Sequence, residues 1–569
     1  MKKQTKLVAV LSAAALLAMG ASMTSFAATG WTQEDGTWYY YAKDGSRVTD
    51  EWKKSGDYWF YLGDDGEMVT DQLIEDDDDY YYVNQDGAML TNAWQAVDNE
   101  DAGDEDEPDQ YWYYFQNNGK AYKGSDSGST TRFKTINGKK YSFDDEGRML
   151  YGWVKEGERQ TGDEDWTDAE YYLGDENDGA MRTGWQLIHI LDENWPDGDE
   201  TFDEDQDRWF YFKSSGKRYV NDKADEKEFV TKTINGKKYG FDENGRMVAE
   251  WNIATIVGSQ GDADYTKEWS YFSSPEDGAR KTKGWFKVIP DEELDEAKYD
   301  DCEEYWYYSD GKGKLVANEI KTINGRKYAF NEYGRMLDGL RLLQLNPNDK
   351  KEILYAPADD DDSNMYYDTE DNFDKTVRNF MTEAAAGSED LYAMCYFGAS
   401  DDGSMKTGKQ TVTIDGDKFE FYFEKSGIRK GYGKSGVDTG DKVAYAMGKK
   451  YKADSDNKYE IITDKRILTN EDNEETKKVS GAGLLGWTFE DFINDMGLTG
   501  VVNEKGDKKV YDVAELSSKL DDMGLKLEDF YIVNTSGSLL KSKSKCKDGD
   551  DIVIKVSNWK IAEIYEELD

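Results

Sequence analysis

The sequence predicts an all-β repeat protein: a β-hairpin solenoid of about 20-residue aromatic units, followed by a small α+β C-terminal domain. Three observations carry this. Nearly the same sixteen residues occur three times, as KTINGKKYSFDDEGRM from Lys134, KTINGKKYGFDENGRM from Lys232 and KTINGRKYAFNEYGRM from Lys321. Clusters of aromatic residues, each followed by a polar turn with Gly, recur from Gly30 onward. Aromatic residues make up 14% of the 569-residue chain and Gly numbers 54, while Pro numbers only 6.

The chain opens with a targeting pattern. Lys2, Lys3 and Lys6 precede an apolar run from Leu7 to Met19, and Ser25-Phe26-Ala27 is a small-x-small cleavage site. Residues 1–27 therefore read as a secretory signal peptide, too short to span a bilayer. No other apolar stretch is long enough to cross a membrane, so an extracellular protein, secreted or wall-associated, is expected. Loss of the three lysines takes the net charge from −48 to about −51, which excludes the basic footprint that nucleic-acid binding needs.

Residues 28–436 form the expected array. In TINGKKYGF, from Thr233, Asn235-Gly236 signals a type I′ hairpin turn, which needs positive φ at both central residues. Tyr239 and Phe241 follow at strand spacing and share a face. Asn244-Gly245 supplies a second turn, and Met247 closes the unit. Variants such as WTQEDGTWYYYAKDG from Trp31, WKKSGDYWFYLGDDG from Trp52 and EEYWYYSDGKG from Glu303 follow the same plan. They group into a larger repeat, one copy running from Gly152 to Met247 and the next from Trp251 to Met336. A degenerate copy, Thr411 to Gly433, retains an Asp-Gly turn; before it, Phe373, Val377, Phe380 and Met381 fall at helical spacing. A lone hairpin is marginal in water, whereas stacked hairpins bury their aromatics against neighbours, so duplication copies the interface with the unit.

These units resemble the choline-binding or cell-wall-binding repeats of Gram-positive surface proteins. They equally resemble glucan-binding repeats and the receptor-binding repeats of clostridial toxins. The resemblance covers about residues 30 to 433. It implies ligand sites between successive hairpins, walled by aromatic rings that hold a quaternary ammonium by cation–π contact or stack on sugar faces. By position in the motif, the Gly-Trp tryptophans are Trp31, Trp153, Trp185 and Trp285, with Trp52 beside them. The second-strand aromatics are Trp38, Tyr40, Trp59, Tyr61, Trp112, Trp209 and Trp306, and the Met positions are Met68, Met89 and Met181. Acidic insertions separate many units and the Lys-rich hairpins lack tryptophan, so complete boxes are expected at few junctions, the best pair being Gly30 to Thr70.

Catalysis finds little support in the sequence, and no cofactor or metal site is expected. His189 is the single histidine, set between apolar residues and read as structural, so one chain cannot assemble a multi-His metal site. No Ser sits in a nucleophile elbow. The acidic runs from Glu75 and Ala358 lack EF-hand spacing; Asp175, Asn177 and Asp178 come nearest and lack the downstream Glu. Cys302, Cys395 and Cys546 read as isolated small hydrophobes.

Residues 437–569 read as the α+β domain. WTFEDFINDM, Trp487 to Met496, is a helix stopped by Gly497, with Thr488 and Asp491 as a capping pair. DVAELSSKLDDM has Asp512 and Glu515 at capping-box spacing and Gly524 as its stop. FYIVNTSG from Phe530 and DIVIKV from Asp551 are strands, with earlier ones near Val443 and Tyr459. The function expected is that of an exported, non-catalytic protein bound to teichoic-acid choline or a wall glycan, its C-terminal domain free to take a protein partner. The alternatives are an adhesin for extracellular glucan or host glycans, and a wall-remodelling enzyme with an unrecognised C-terminal site.

Overall fold

The computed structural model describes residues 29–100, 102–103, 107–124, 130–162, 165–190, 206–346, 348–356, 367–382, 392–465, 484–549 and 551–568. The expected signal peptide, the acidic run from Ala358 and most of the insertion from Asp192 lie outside the described residues. The chain divides into two compact units, Met1–Val248 and Ala249–Asp569.

The first unit is built of antiparallel hairpins. Gly30–Glu34 pairs with Thr37–Tyr41, Glu51–Ser55 with Tyr58–Leu62, Gln72–Asp76 with Asp79–Val83, and Ala93–Asp98 with Gln110–Phe115. The Lys-rich sequences form the hairpins Lys134–Ile136/Lys139–Tyr141 and Val230–Ile234/Lys237–Phe241. Their Asn-Gly turns have the expected backbone: φ is 49° at Asn137 and at Asn235, and 82° and 83° at the following glycines. The second turn lies where expected, with a backbone unlike the first. Asn244 is absent from the positive-φ residues; the turn closes instead by Gly245 N–H donating to the Asp242 carbonyl (3.1 Å) and Arg246 N–H to Asp242 Oδ1 (2.8 Å).

The segment after each hairpin links neighbours. Val69 N–H donates to the carbonyl of Tyr61 in its own hairpin, and Met68 N–H donates to that of Trp38 in the preceding one (2.8 Å). Met89 donates likewise to Trp59, Met149 to Trp112 and Met247 to Trp209. The closing Met thus stitches hairpin to hairpin through its backbone. Its side chain then covers the next turn glycine: a Cβ on Gly119, where φ is +84°, would lie 2.4 Å from Met89 Sδ. The turn glycine is required by both the backbone and the neighbour.

The second unit begins the same way. Trp251–Ile253 pairs with Trp269–Tyr271, Gly284–Val288 with Tyr305–Ser309, and the third Lys-rich hairpin is Glu319–Ile323/Arg326–Phe330. Larger sheets follow. A five-stranded sheet has the order Gly408–Ile414, Asp417–Phe423, Lys449–Lys450, Val443–Ala446, Gly436–Asp438. It runs through the boundary expected at 436/437, because Phe421 pairs with Lys449 and so binds the degenerate repeat to the strands beyond it. The helix Glu370–Thr382 lies where the spacing placed it; Phe373 and Val377 are buried with Phe421, while the side chains of Phe380 and Met381 lie outside the described residues. Lys449, itself buried, ties that helix to the sheet through Glu370 (2.6 Å) and Asp374 (3.0 Å).

Beyond it, strands Leu485–Trp487, Tyr459–Thr463 and Phe530–Asn534 form one sheet. Strands Gly500–Val502, Lys508–Tyr511, Lys560–Glu567, Ile552–Ser557 and Lys543–Lys547 form another. The helix Phe489–Asp495 is capped by Thr488, whose side chain accepts from Asp491 N–H. The helix Val513–Asp522 is capped by Asp512, but Glu515 pairs with Lys519 (3.0 Å) rather than completing a capping box. Phe489, Phe492, Leu516 and Leu520 are fully buried between these elements.

Candidate aromatic ligand sites

Strand register decides which rings meet. In most hairpins the first-strand Trp faces the Tyr of a Trp-x-Tyr sequence on the second strand: Trp31 opposes Tyr40, Trp52 opposes Tyr61, Trp185 opposes Tyr211 and Trp285 opposes Tyr308, whereas Trp153 opposes Tyr172 of Glu170-Tyr171-Tyr172. The period of two then puts the second Trp on the same face, so Trp38, Trp59, Trp112, Trp209 and Trp306 stand beside their tyrosines. The next hairpin supplies the far wall.

In the N-terminal pair, Trp31 meets Tyr40 and Phe60 (5.4 Å each). Trp52 meets Tyr61 and Tyr81 (5.1 Å each), and its Nε1–H donates to Asp76 of the next hairpin. Trp38 is half-buried, and Trp59 is exposed at 41%. The third hairpin has Leu73 in the Trp position and leaves Tyr82 against Phe115. Trp153 is ringed by Trp166, Tyr172, Phe210 and Phe212.

The Lys-rich hairpins do not break these clusters, contrary to expectation. They end them. Thr231 and Lys238 stand where a box would have its two tryptophans, but Tyr239 and Phe241 face back onto Trp185 (4.8 and 5.6 Å). Tyr141 and Phe143 do the same to Trp94 (4.9 and 5.9 Å), and Tyr328 and Phe330 to Trp285 (4.8 and 5.6 Å). Nor do the acidic insertions separate the units. Those after Asp98 and Ile190 each fall within a single hairpin, between strands whose pairing holds both ends, Asp98 with Gln110 and Ile190 with Gln206.

Trp185 and Trp209 stand 6.1 Å apart at 89°, Trp285 and Trp306 6.3 Å at 89°, and Trp251 and Trp269 6.3 Å at 80°. A cation held ~4.5 Å over each of two perpendicular rings would put their centroids roughly 6.4 Å apart. The Trp185–Trp209 and Trp285–Trp306 pairs therefore have the spacing and angle of two adjoining walls of an ammonium box, whereas Trp269 is buried with Tyr265, Phe286 and Tyr307, so the third pair is an edge-to-face core contact. Burial raises the Tyr61, Tyr172 and Tyr271 hydroxyls above their ordinary value, so these walls stay neutral. Trp251, Trp269 and Trp166 are absent from the residues the sequence singled out. The signal for the first two was the Trp-x-Tyr spacing of Trp269 and Tyr271, hidden because Ser270 interrupts the aromatic run.

Other features resolve simply. The EDDDD run is a hairpin turn: Asp77 and Asp78 have positive φ, and Asp79 pairs with Lys120. Asp178 is neutralised by Lys139 (3.1 Å) and Arg182 (2.8 Å). No cluster of metal-ligating side chains occurs among the described residues. His189 is exposed, not a core residue: it alternates with buried Ile188 and Ile190 and meets Asp207 across the strand pair (3.0 Å). Cys302 is exposed; burial pushes the Cys395 thiol up to about 12 and that of Cys546 to about 11.

Residues 48–94 match the family model described as choline-binding repeat, and residues 29–46 and 131–149 the one described as putative cell wall binding repeat. Over 245 residues the chain is 26% identical to glucosyltransferase-S of Streptococcus mutans serotype c, covering 42% of this chain and 13% of that protein. Similar solved structures include the modular autolysin LytC of Streptococcus pneumoniae in complex with a synthetic peptidoglycan ligand. It has 18% identity and a TM-score of 0.29, over 56% of this chain and 55% of that one. Choline binding protein F of the same organism has 24% identity and a TM-score of 0.24, over 55% and 100%.

Proposed function

From a chain that carries choline-binding, cell-wall-binding repeats, we propose a non-catalytic surface protein that attaches to choline-bearing or related wall glycopolymers through its inter-hairpin aromatic boxes. The observation that carries this is the set of perpendicular Trp–Trp corners, closed on a third side by the paired Tyr. A quaternary ammonium has no hydrogen-bond donor, so stacked ring faces are the chemistry that holds it. The high negative charge of the chain favours a cation in each box. Export by residues 1–27 belongs to the same reading. The exposed His189 and the raised thiols of Cys395 and Cys546 support a binding role over an enzymatic one. The partial match to a glucosyltransferase favours a second reading, stacking of the same rings on glucan.

The test is co-sedimentation of the full chain with choline-bearing walls, choline-free walls and insoluble glucan, each with and without excess choline. Binding to choline-bearing walls released by choline is the expected result. Glucan binding indifferent to choline selects the second reading, and binding to none of the three rejects both.

A further inference from the structure

The residue before a box tryptophan points to the other face of its strand. In the hairpin closed by the first Lys-rich copy that residue is Tyr111, before Trp112, and in the hairpin closed by the third it is Tyr305, before Trp306. Both carry the same small constellation. The Tyr111 hydroxyl donates to Glu107 (2.5 Å), and the Arg148 guanidinium lies 4.3 Å over its ring. The Tyr305 hydroxyl donates to Glu303 (3.0 Å), and Arg335 lies 5.0 Å over its ring. Arg148 and Arg335 hold one position of the repeat, since each stands directly before a stitching Met, Met149 or Met336. The middle copy lacks the constellation. Arg208 replaces the tyrosine, and Arg246 turns to its own turn residue, Asp242 (2.6 Å). Its hairpins still pair and Met247 still stitches them, so neither pairing nor stitching requires the Tyr–Arg stack.

A cavity opens at each constellation, and its lining repeats. Tyr111, Asp145, Arg148 and Leu150 border one of about 420 Å³. Tyr305, Glu332, Arg335 and Leu337, at the same positions, border one of about 450 Å³. Each has a second arginine: Arg159, which lies 4.2 Å over Tyr151, and Arg341, which pairs with Asp338 (3.0 Å). Five carboxylates face three arginines in the first cavity, and five face two lysines and two arginines in the second. Several of these cations are already neutralised, Arg148 by Glu146, Arg335 by Asp295 (2.9 Å) and Lys298 by Asp301 (2.9 Å). A ligand of either net charge would have to break such pairs. A neutral polyol adds to them, offering its hydroxyl protons to carboxylate oxygens and its hydroxyl oxygens to guanidinium N–H groups.

We propose that the two cavities are a duplicated pair of sites for a neutral oligosaccharide, held by the Glu–Tyr–Arg constellation rather than by the Trp corners. This rests on the attachment function proposed above and adds to it a sugar contact that needs no ammonium. Both volumes fall in the range of small-molecule sites, roughly 300–1,000 Å³. Of the box tryptophans only Trp306 borders either cavity.

The experiment is equilibrium dialysis of two labelled trimers, one of N-acetylglucosamine and one of α-linked glucose, against the full chain and its variants. Choline is kept in excess so that the boxes are filled, and each variant is checked for folding by circular dichroism. The unaltered chain is expected to bind two equivalents, and the trimer that binds identifies the sugar class. Tyr111→Arg and Tyr305→Arg each introduce the residue type that the middle copy carries at this position, and each is expected to lose one equivalent; the double variant is expected to lose both. Tyr58→Arg, the same exchange at the exposed residue before Trp59, is expected to leave the count unchanged. Binding of neither trimer, or an unchanged count in the double variant, overturns the assignment. Wall binding released by choline, measured on the same preparations, reads the attachment function separately: its presence beside either failure leaves that function standing, and its absence from the unaltered chain overturns it.

Discussion

Asp144 offers a prediction whose size and sign follow from the fold. It heads the turn after the first Lys-rich hairpin, where its Oδ1 accepts from Arg148 N–H (2.7 Å). Burial raises its carboxyl from 3.8 to about 6, against the smaller opposing pull of that hydrogen bond and of the Arg148 charge. A shift of about two units corresponds to roughly 3 kcal/mol of cost for keeping the group ionised in the folded state. The folded value lies above the unfolded one, so the cost is absent below 3.8, grows as pH rises toward 6, and is constant above. Asp144→Asn removes the charge and keeps an acceptor. The third copy shows that the turn tolerates it, since Asn331 accepts from Tyr333 N–H (3.2 Å) and Arg335 N–H (2.8 Å) at the same position. The variant is therefore expected to protect amides of residues 134–150 up to about a hundredfold more at pH 8, with the gain vanishing near pH 4. Hydrogen–deuterium exchange with mass spectrometry, corrected for intrinsic rates, reads this segment directly. A gain that is the same at both pH values, or a loss of protection at pH 8, would refute the buried-charge argument.

Three further outcomes are expected. Glu250 holds the left-handed corner (φ 55°) that Gly184 and Gly339 hold elsewhere, so Glu250→Gly should stabilise the hairpin Trp251–Tyr271 by about 0.5–1 kcal/mol, measured as slower local exchange; slower unfolding of other hairpins alone would contradict it. Thr488→Ala removes the cap of the helix Phe489–Asp495 and should cost about 1 kcal/mol in denaturant titration, whereas Thr488→Ser should restore most of it. Lys545 and Lys547 hold the Glu567 carboxyl down to about 2, below its unfolded value of 4.5. Its contribution is thus present above 4.5 and lost as pH falls toward 2; acid unfolding of the last sheet should begin at higher pH in Glu567→Gln, and added salt should narrow the difference.

Much of the local structure was legible. Asn-Gly between the strands of each Lys-rich copy, at Asn137, Asn235 and Asn324, marks the hairpin there, because the turn needs two positive φ values that few residue pairs supply. The caps at Thr488 and Asp512, and the stops at Gly497 and Gly524, were readable for the same reason: each is decided within four residues of chain. Eleven of the twelve singled-out aromatics are half-buried on the box faces, since strand spacing alone assigns a face; Trp59 is the exposed one. The Lys-rich hairpins were harder. Their lack of tryptophan read as a break, because nothing local says that Tyr239 and Phe241 turn back onto a Trp more than fifty residues earlier.

The sequence by itself determined the hairpin, its turn, its closing Met and the face each aromatic occupies, all consequences of dihedral preferences and a period of two. Only the tertiary structure decided which rings from separate hairpins meet, which tyrosine rings the lysines of the Lys-rich hairpins lie over, and that the sheet from Gly408 to Lys450 crosses the boundary drawn at residue 436. Those outcomes depend on contacts between segments far apart in the chain. A single exchange, Val316 for the Tyr of the other two copies, changes what the neighbouring lysine touches without altering the local pattern that forms the hairpin.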